Sequence, residues 1–301
     1  MYDIIIIGSG PAGLTAAIYA RRAEKSVLVI EKETFGGEIT HSPKVENYPG
    51  MREISGADLG ERLMSQALDL GAEIEMDTCI DIRTGDNFTV VCEREEYEGR
   101  SVIIAGGSKH RRLGLPREEE LTGNGISYCS VCDGPFYTGR SVAVIGGGNS
   151  ALQEAVQLSE LCSHVTIVQN LDFLTGEKKL QDILASKDNV SMIFGVTVAE
   201  LVGDPELTGL VLKHQDGTTE TLTVDGAFVA IGQQPENAPF ASVATLDQYG
   251  YIVADESCET GTPGVYVAGD CRTKAIRQVV TASGDGAIAA IKACKFTEEH
   301  R

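Results

Sequence analysis

The sequence lacks any apolar run close to the ~20 residues a helix needs to span a bilayer. It is poor in positive charge: 25 Lys and Arg stand against 44 Asp and Glu, a formal charge of −19. Nucleic acid and anionic membrane both call for clustered cations, so neither is expected as a partner. Proline is scarce, at 9 of 301 residues, and the 34 glycines sit in short clusters rather than low-complexity tracts. Such clusters mark tight turns and places where backbone approaches a ligand. The N-terminal apolar run, Ile4 to Ile7, is too short for a secretory signal, and Asp3 stands where a positive segment belongs. The expectation is a cytoplasmic protein whose eight cysteines are thiols unless they have redox or metal duties.

What is present is a pattern seen twice. Ile4 to Ile7 leads into Gly8-Ser9-Gly10-Pro11-Ala12-Gly13 and an Ala-rich helix. Val142 to Ile145 leads into Gly146-Gly147-Gly148-Asn149-Ser150-Ala151 and another helix, 138 residues later. A second apolar strand follows each, at 26–30 and 164–168. Strand, glycine turn, helix and strand form a dinucleotide-binding unit, in which glycine admits a pyrophosphate and the helix start supplies N–H groups. Twenty-three residues after the first glycine stands Glu31 in one copy and Gln169 in the other. An acid there can accept hydrogen bonds from a ribose, so the copies differ in how they bind nucleotide. The second copy lies between other ligand-type signals. The expected fold is α/β, with two Rossmann-like domains, the second inserted into the first. Residues 1–112 and 239–301 form one domain and 113–238 the other, with crossovers at 111–114 and 233–239.

Cys129-Ser130-Val131-Cys132-Asp133-Gly134 is the sharpest local feature. Such a pair is half a zinc site, a redox disulfide or chance. The other six cysteines are single, so no second metal-ligating pair exists. Beside two dinucleotide units, a dithiol points to electron transfer into a disulfide. Asp133 can protonate a leaving thiolate or simply open the Asp-Gly-Pro turn. Asp270, after the apolar segment 265–268, is placed for a ligand hydroxyl or for a turn.

These motifs resemble the low-molecular-weight thioredoxin reductases over nearly the whole chain. The matching stretches are 8–17, Val45-Glu46-Asn47-Tyr48-Pro49-Gly50, Ser127 to Pro135, Pro263 to Asp270, Arg277-Gln278-Val279 and Ala282 to Gly286. The resemblance implies an FAD enzyme that works as a homodimer on thioredoxin or a glutaredoxin-like protein. It implies FAD on Gly8, Ser9, Gly10, Pro11, Ala12 and Gly13, with Glu31 on the adenosine ribose. Gly36, Gly37, Glu38, Thr40 and Asn47 would line the flavin side. Gly269 and Asp270 would meet the ribityl or pyrophosphate region, and Arg277, Gln278 and Val279 the ring end. Cys132 would face the flavin, Cys129 would attack the substrate, and Asp133 would be the acid–base partner. A pyridine nucleotide would sit on Gly146, Gly148, Asn149, Ser150, Ala151, Gln169 and Asn170.

The chain departs from the family in three places. Glu38 stands where Gln is common, and Gly107 replaces a usual Thr-Gly pattern. The arginines that NADPH users carry after the second strand become Asn170, Leu171 and Thr175. A 2′-phosphate needs cationic partners, so NADPH is disfavoured and NADH is the expected donor. Reduced ferredoxin is the alternative donor. A dithiol oxidase that passes electrons to oxygen, or a non-catalytic flavin sensor, is the alternative function.

Overall fold

Four consecutive isoleucines form a strand buried on both faces, as a central parallel strand must be. The computed structural model describes residues 1–42 and 44–300. The strand, β1 (Tyr2–Ile7), is followed by α1 (Pro11–Arg22), which starts on a proline whose missing N–H costs nothing there. β2 (Val27–Glu31) then pairs with β1 in parallel, Ile4 with Val27 through Ile7 with Ile30. α2 (Gly56–Asp69) begins at Ser55, whose Oγ accepts from the Asp58 amide. β3 (Glu73–Met76), β4 (Cys79–Arg83), β5 (Phe88–Cys92) and β6 (Glu96–Ile104) complete the sheet order β3-β2-β1-β6-β5-β4.

The chain then crosses over through β7 (Lys109–His110). In the inserted unit come α3 (Glu118–Leu121), β8 (Ile126–Ser127), α4 (Ser130–Asp133), β9 (Ser141–Ile145), α5 (Asn149–Leu161) and β10 (His164–Val168). α6 (Lys178–Ala185), β11 (Val190–Ile193), β12 (Val196–Val202), β13 (Gly209–His214), β14 (Thr219–Thr223) and β15 (Gly226–Val229) follow. Here the parallel sheet runs β11-β10-β9-β15-β8, and β12-β13-β14 form a separate antiparallel sheet. Val142, Val144 and Phe228 face α5, while Ala143, Ile145 and Ala227 face the other side, as a period of two requires. The return crossover is β16 (Gln233–Gln234), paired with β7. Back in the first unit, β17 (Val265–Val267) pairs with the end of β6, and α7 (Val279–Glu299) closes the fold against α1.

The two compact units are Met1–Lys109 with Gln234–Arg301, and His110–Gln233. Their boundaries fall a few residues ahead of the expected 112/113 and 238/239. The cause is local: the crossovers are already hydrogen-bonded to each other there, with the Arg111 amide donating to the Gly232 carbonyl at 3.0 Å. No helix among the described residues is long and apolar enough to cross a membrane.

Candidate functional site

In the first unit the glycine turn is tied down on all sides. Gly8 has φ +107°, and a Cβ there would lie 2.4 Å from the Ala105 carbonyl oxygen. Only glycine fits this closeness of turn and sheet. Gly10 precedes α1 in extended conformation, and Gly37 lies so near it that an added Cβ would sit 2.9 Å from the Gly10 Cα. The Gly36 amide donates to the Ser9 carbonyl at 3.1 Å. Glu31, at the end of β2, is 8% exposed. Its Oε2 accepts the Ser9 amide and hydroxyl at 2.8 Å, and its Oε1 accepts the Lys32 and Glu33 amides at 2.9 Å. The acid therefore shapes the turn as well as presenting a negative edge.

Gly269 belongs to the same cluster, since its Cβ position lies 2.9 Å from the Ala12 Cβ. Asp270 follows it. Its Oδ1 is buried without a hydrogen-bond partner, and burial pushes its pKa up to about 6 against the pull of Lys274 and Arg277. The Arg277 Nε donates to the Asp270 carbonyl at 3.4 Å, and the guanidinium lies 4.3 Å over the Tyr251 ring. Gln278 caps α7 ahead of Val279 and accepts from Asn47 Nδ2 at 3.2 Å. Thr40 donates to the Gly37 carbonyl at 2.8 Å. Glu38 and Asn47 have exposed side chains.

The second unit repeats the turn. Gly146 has φ +133°, and its Cβ position lies 2.4 Å from the Ala230 carbonyl oxygen. Gly148 precedes α5 in extended conformation. The Gly147 carbonyl accepts the Thr175 and Gly176 amides at 2.8 and 3.0 Å. Asn149 Oδ1 accepts the Glu177 amide at 2.6 Å, Ser150 is exposed, and Ala151 is fully buried against the sheet. Gln169 is buried and folds over Gly147, donating to the Phe173 carbonyl and accepting from the Asn170 amide, both at 3.2 Å. Asn170, Leu171 and Phe173 are exposed. From 169 to 177 there is no cation; Lys178 is ion-paired with Asp182.

The dithiol stands in this unit as a disulfide, with Cα atoms 5.3 Å apart. Cys129 caps α4, its Sγ accepting the Cys132 amide at 3.2 Å. Both cysteines are half-buried. Asp133 Oδ2 accepts the Ser127 hydroxyl at 2.6 Å, while Oδ1 is buried and partnerless. Burial raises the Asp133 pKa and the Ser127 bond opposes the rise. A carboxyl group whose pKa is raised this way is suited to exchange a proton with a thiolate. Cys271 is fully buried, bonded to the Ile104 and Ala268 carbonyls, and burial pushes its thiol up to about 12.

Sequence reasoning missed Ser127 and the buried Arg272–Asp285 pair. Ser127 sits six residues ahead of Asp133 with no periodic relation to it, so only the turn brings them together. Arg272, 2% exposed, forms two 2.9 Å bonds to Asp285, which Lys274 also contacts at 2.8 Å. Against the burial that would raise it, these two cations hold the Asp285 carboxyl below the usual range. Asp285 Oδ2 accepts the Gly269 amide at 3.0 Å, so the pair fixes the segment that carries Asp270.

Residues 2–286 match the pyridine nucleotide-disulphide oxidoreductase family. The chain is 43% identical to a thioredoxin reductase of Listeria monocytogenes over 302 aligned residues, covering 99% of this chain and 95% of that one. A Bacillus subtilis thioredoxin reductase is 40% identical, with coverage of 99% and 96%. Among solved structures, the thioredoxin reductase of Streptococcus pyogenes aligns with a TM-score of 0.95 and 37% identity over 99% of both chains.

Proposed function

Because the chain belongs to the pyridine nucleotide-disulphide oxidoreductase family, we propose that it is an FAD-dependent reductase of the thioredoxin reductase type. Electrons reach the Cys129–Cys132 disulfide and pass on to a thioredoxin-type protein disulfide. The carrying observation is the redox pair itself, closed as a disulfide beside a buried Asp133 whose second oxygen has no partner.

The first glycine turn fits FAD. Gly8 leaves no room for a side chain, the α1 start has free amides for a pyrophosphate, and the orphaned Asp270 Oδ1 wants a hydroxyl donor. Gly8 to Gly13 would hold the pyrophosphate, Glu31 the ribose, Asp270 the ribityl chain, and Arg277, Gln278 and Asn47 the ring end. When bound, the flavin supplies the electron pair that opens the disulfide. Cys129 as thiolate then attacks one sulfur of the substrate disulfide, and the sulfur released takes a proton. Cys132 attacks Cys129, the second substrate thiol leaves, and the Cys129–Cys132 disulfide is restored. Asp133 supplies and recovers the proton.

The reading extends to a cytoplasmic homodimer reduced by NADH rather than NADPH. The absence of cations from 169 to 177 supports the nucleotide choice. Cys129→Ser and Cys132→Ser test the function: each should abolish thioredoxin reduction while the protein stays yellow. Turnover by either variant would remove the dithiol from the mechanism.

A further inference from the structure

Below the redox turn, in the same unit, lies a carboxyl group that the mechanism does not use. Glu154 stands in the second turn of α5, and the backbone N–H of Ser130, between the two cysteines, lies near enough to pull its pKa down. Its Oε2 is buried with no hydrogen-bond partner. α5 carries the turn directly: Gln157, one helical step on, accepts the Ser130 hydroxyl at 3.3 Å. A Cβ added at Gly134 would lie 3.2 Å from Leu158 and 3.4 Å from Leu161. Ser130 is 2% exposed, so its amide has no access to water as an alternative acceptor.

We propose that Glu154 is a positioning residue for the dithiol, a half-buried acid under the turn whose charge sets how readily the pair accepts electrons. This rests on the reading of Cys129 and Cys132 as the working redox pair. The Glu154 carboxyl lies by the Ser130 amide of a four-residue turn in which Cys129 Sγ holds the Cys132 amide. A negative Glu154 therefore opposes a negative Cys129.

Burial pushes the Glu154 pKa up to about 8 in the disulfide form, with the Ser130 amide pulling the other way. The other titratable groups on elements packed against α5 are Asp133, Tyr137, His164, Lys178, Lys179 and Asp182. None hydrogen-bonds or ion-pairs with Glu154: Asp133 is held by Ser127, His164 by Ser191 and Lys178 by Asp182. Its proton therefore answers to the redox state of its neighbours. Two electrons and one proton convert the disulfide to one thiol and one thiolate. The new thiolate raises the Glu154 pKa further, as a like charge does. Above pH 8 an ionised Glu154 then takes up a second proton on reduction. Below pH 7 it is already protonated and takes up none.

The test is the equilibrium between disulfide and dithiol, measured from pH 6 to 10 in wild type and Glu154→Gln. The flavin-loaded protein is poised in dithiothreitol buffers, and the thiols are trapped by alkylation and counted by mass. Glutamine keeps the volume and a carbonyl oxygen but cannot ionise. The two proteins should coincide below pH 7. At pH 9, Glu154→Gln should favour the dithiol by up to about tenfold. Parallel curves across the range would overturn the proposal. The carboxyl can also be tracked directly, as an infrared C=O band present in wild type at pH 7 and absent in Glu154→Gln. A Glu154 fully ionised at pH 7 would equally refute it. Neither measurement requires thioredoxin or a nucleotide, so a wrong substrate would not mask the result.

Discussion

The two glycine turns are near copies, yet they present different chemistry at the same place. Gly8 and Gly146 both have positive φ, and both leave 2.4 Å between a Cβ position and a neighbouring strand carbonyl. Their amides donate to Ile30 and Val168 at 2.7 and 2.9 Å. The backbone device is thus fixed by sterics. The strand-end residue is not: Glu31 binds Ser9 through charge-assisted bonds, whereas neutral Gln169 lies across Gly147. The shared backbone explains why both copies suit a dinucleotide. The side chains at the strand end are where the copies part.

The largest effect should come from breaking each turn separately. Gly8→Ala forces a Cβ into the Ala105 carbonyl at a positive φ and should yield colourless or unfolded protein. Gly146→Ala does the same against Ala230 and should leave a yellow protein that dithiols reduce but nucleotides do not. Visible spectra and anaerobic reduction distinguish the two. Equal loss of flavin in both variants would end the division of labour between the turns.

A second pair sharpens it. Asp133 and Asp270 each have a buried, partnerless Oδ1 and a raised pKa, one in each unit. Asp133→Asn should slow thioredoxin reduction by about 10²–10⁴, the range for loss of a general acid. Since burial keeps the wild-type acid protonated to higher pH, activity should fall as pH rises through its pKa. Asp133→Asn should lose that limb. Asp270→Asn should instead weaken flavin retention and leave the disulfide exchange intact. Steady-state pH profiles and flavin release on dilution measure the two.

The repeated βαβ units and the dithiol were legible because they rest on local rules. In each copy a strand rich in β-branched residues, a glycine whose φ must be positive and a helix start all lie within a dozen positions. The insertion was also readable, from the order of the motifs. What was not legible depends on chain segments far apart. β6 takes β5 as an antiparallel neighbour in its first half and β17 in its second, which no periodicity reveals. Glu154 reads as an ordinary helical glutamate until α5 is laid under the redox turn. Glu38 lies next to Gly37 on a short helical turn, with its side chain exposed.

The donor site gives the next effect. Anaerobic flavin reduction by NADH should outpace NADPH. Each charge-assisted contact to a 2′-phosphate is worth about 1.5–3 kcal/mol, or roughly ten- to a hundredfold in affinity. Asn170→Arg with Leu171→Arg places two cations on exposed positions at the strand end. The double variant should shift preference toward NADPH by at least about tenfold, read from the concentration dependence of stopped-flow reduction. Fast reduction of wild type by low-micromolar NADPH would show that cations elsewhere serve the phosphate.

The smallest effect tests the sixth position of the turn, where the copies carry different residues. A Cβ at Gly13 would lie 1.9 Å from the Gly8 carbonyl oxygen and 3.3 Å from Ile6. Neither the turn nor β1 can retreat, since Gly8 is held against both β2 and β6. Gly13→Ala should therefore destabilise the protein by about 1–3 kcal/mol, the usual cost of overpacking. Ala151 already holds a methyl at the matching place, fully buried among Val142, Val144 and Leu152. Ala151→Gly removes one small group and loosens the first turn of α5, at a cost of about 1 kcal/mol. Thermal melts of the flavin-bound protein should rank Gly13→Ala below Ala151→Gly, and both below wild type. If Gly13→Ala melted with wild type, the first turn would have slack, and the tight fit would not be why glycine stands there.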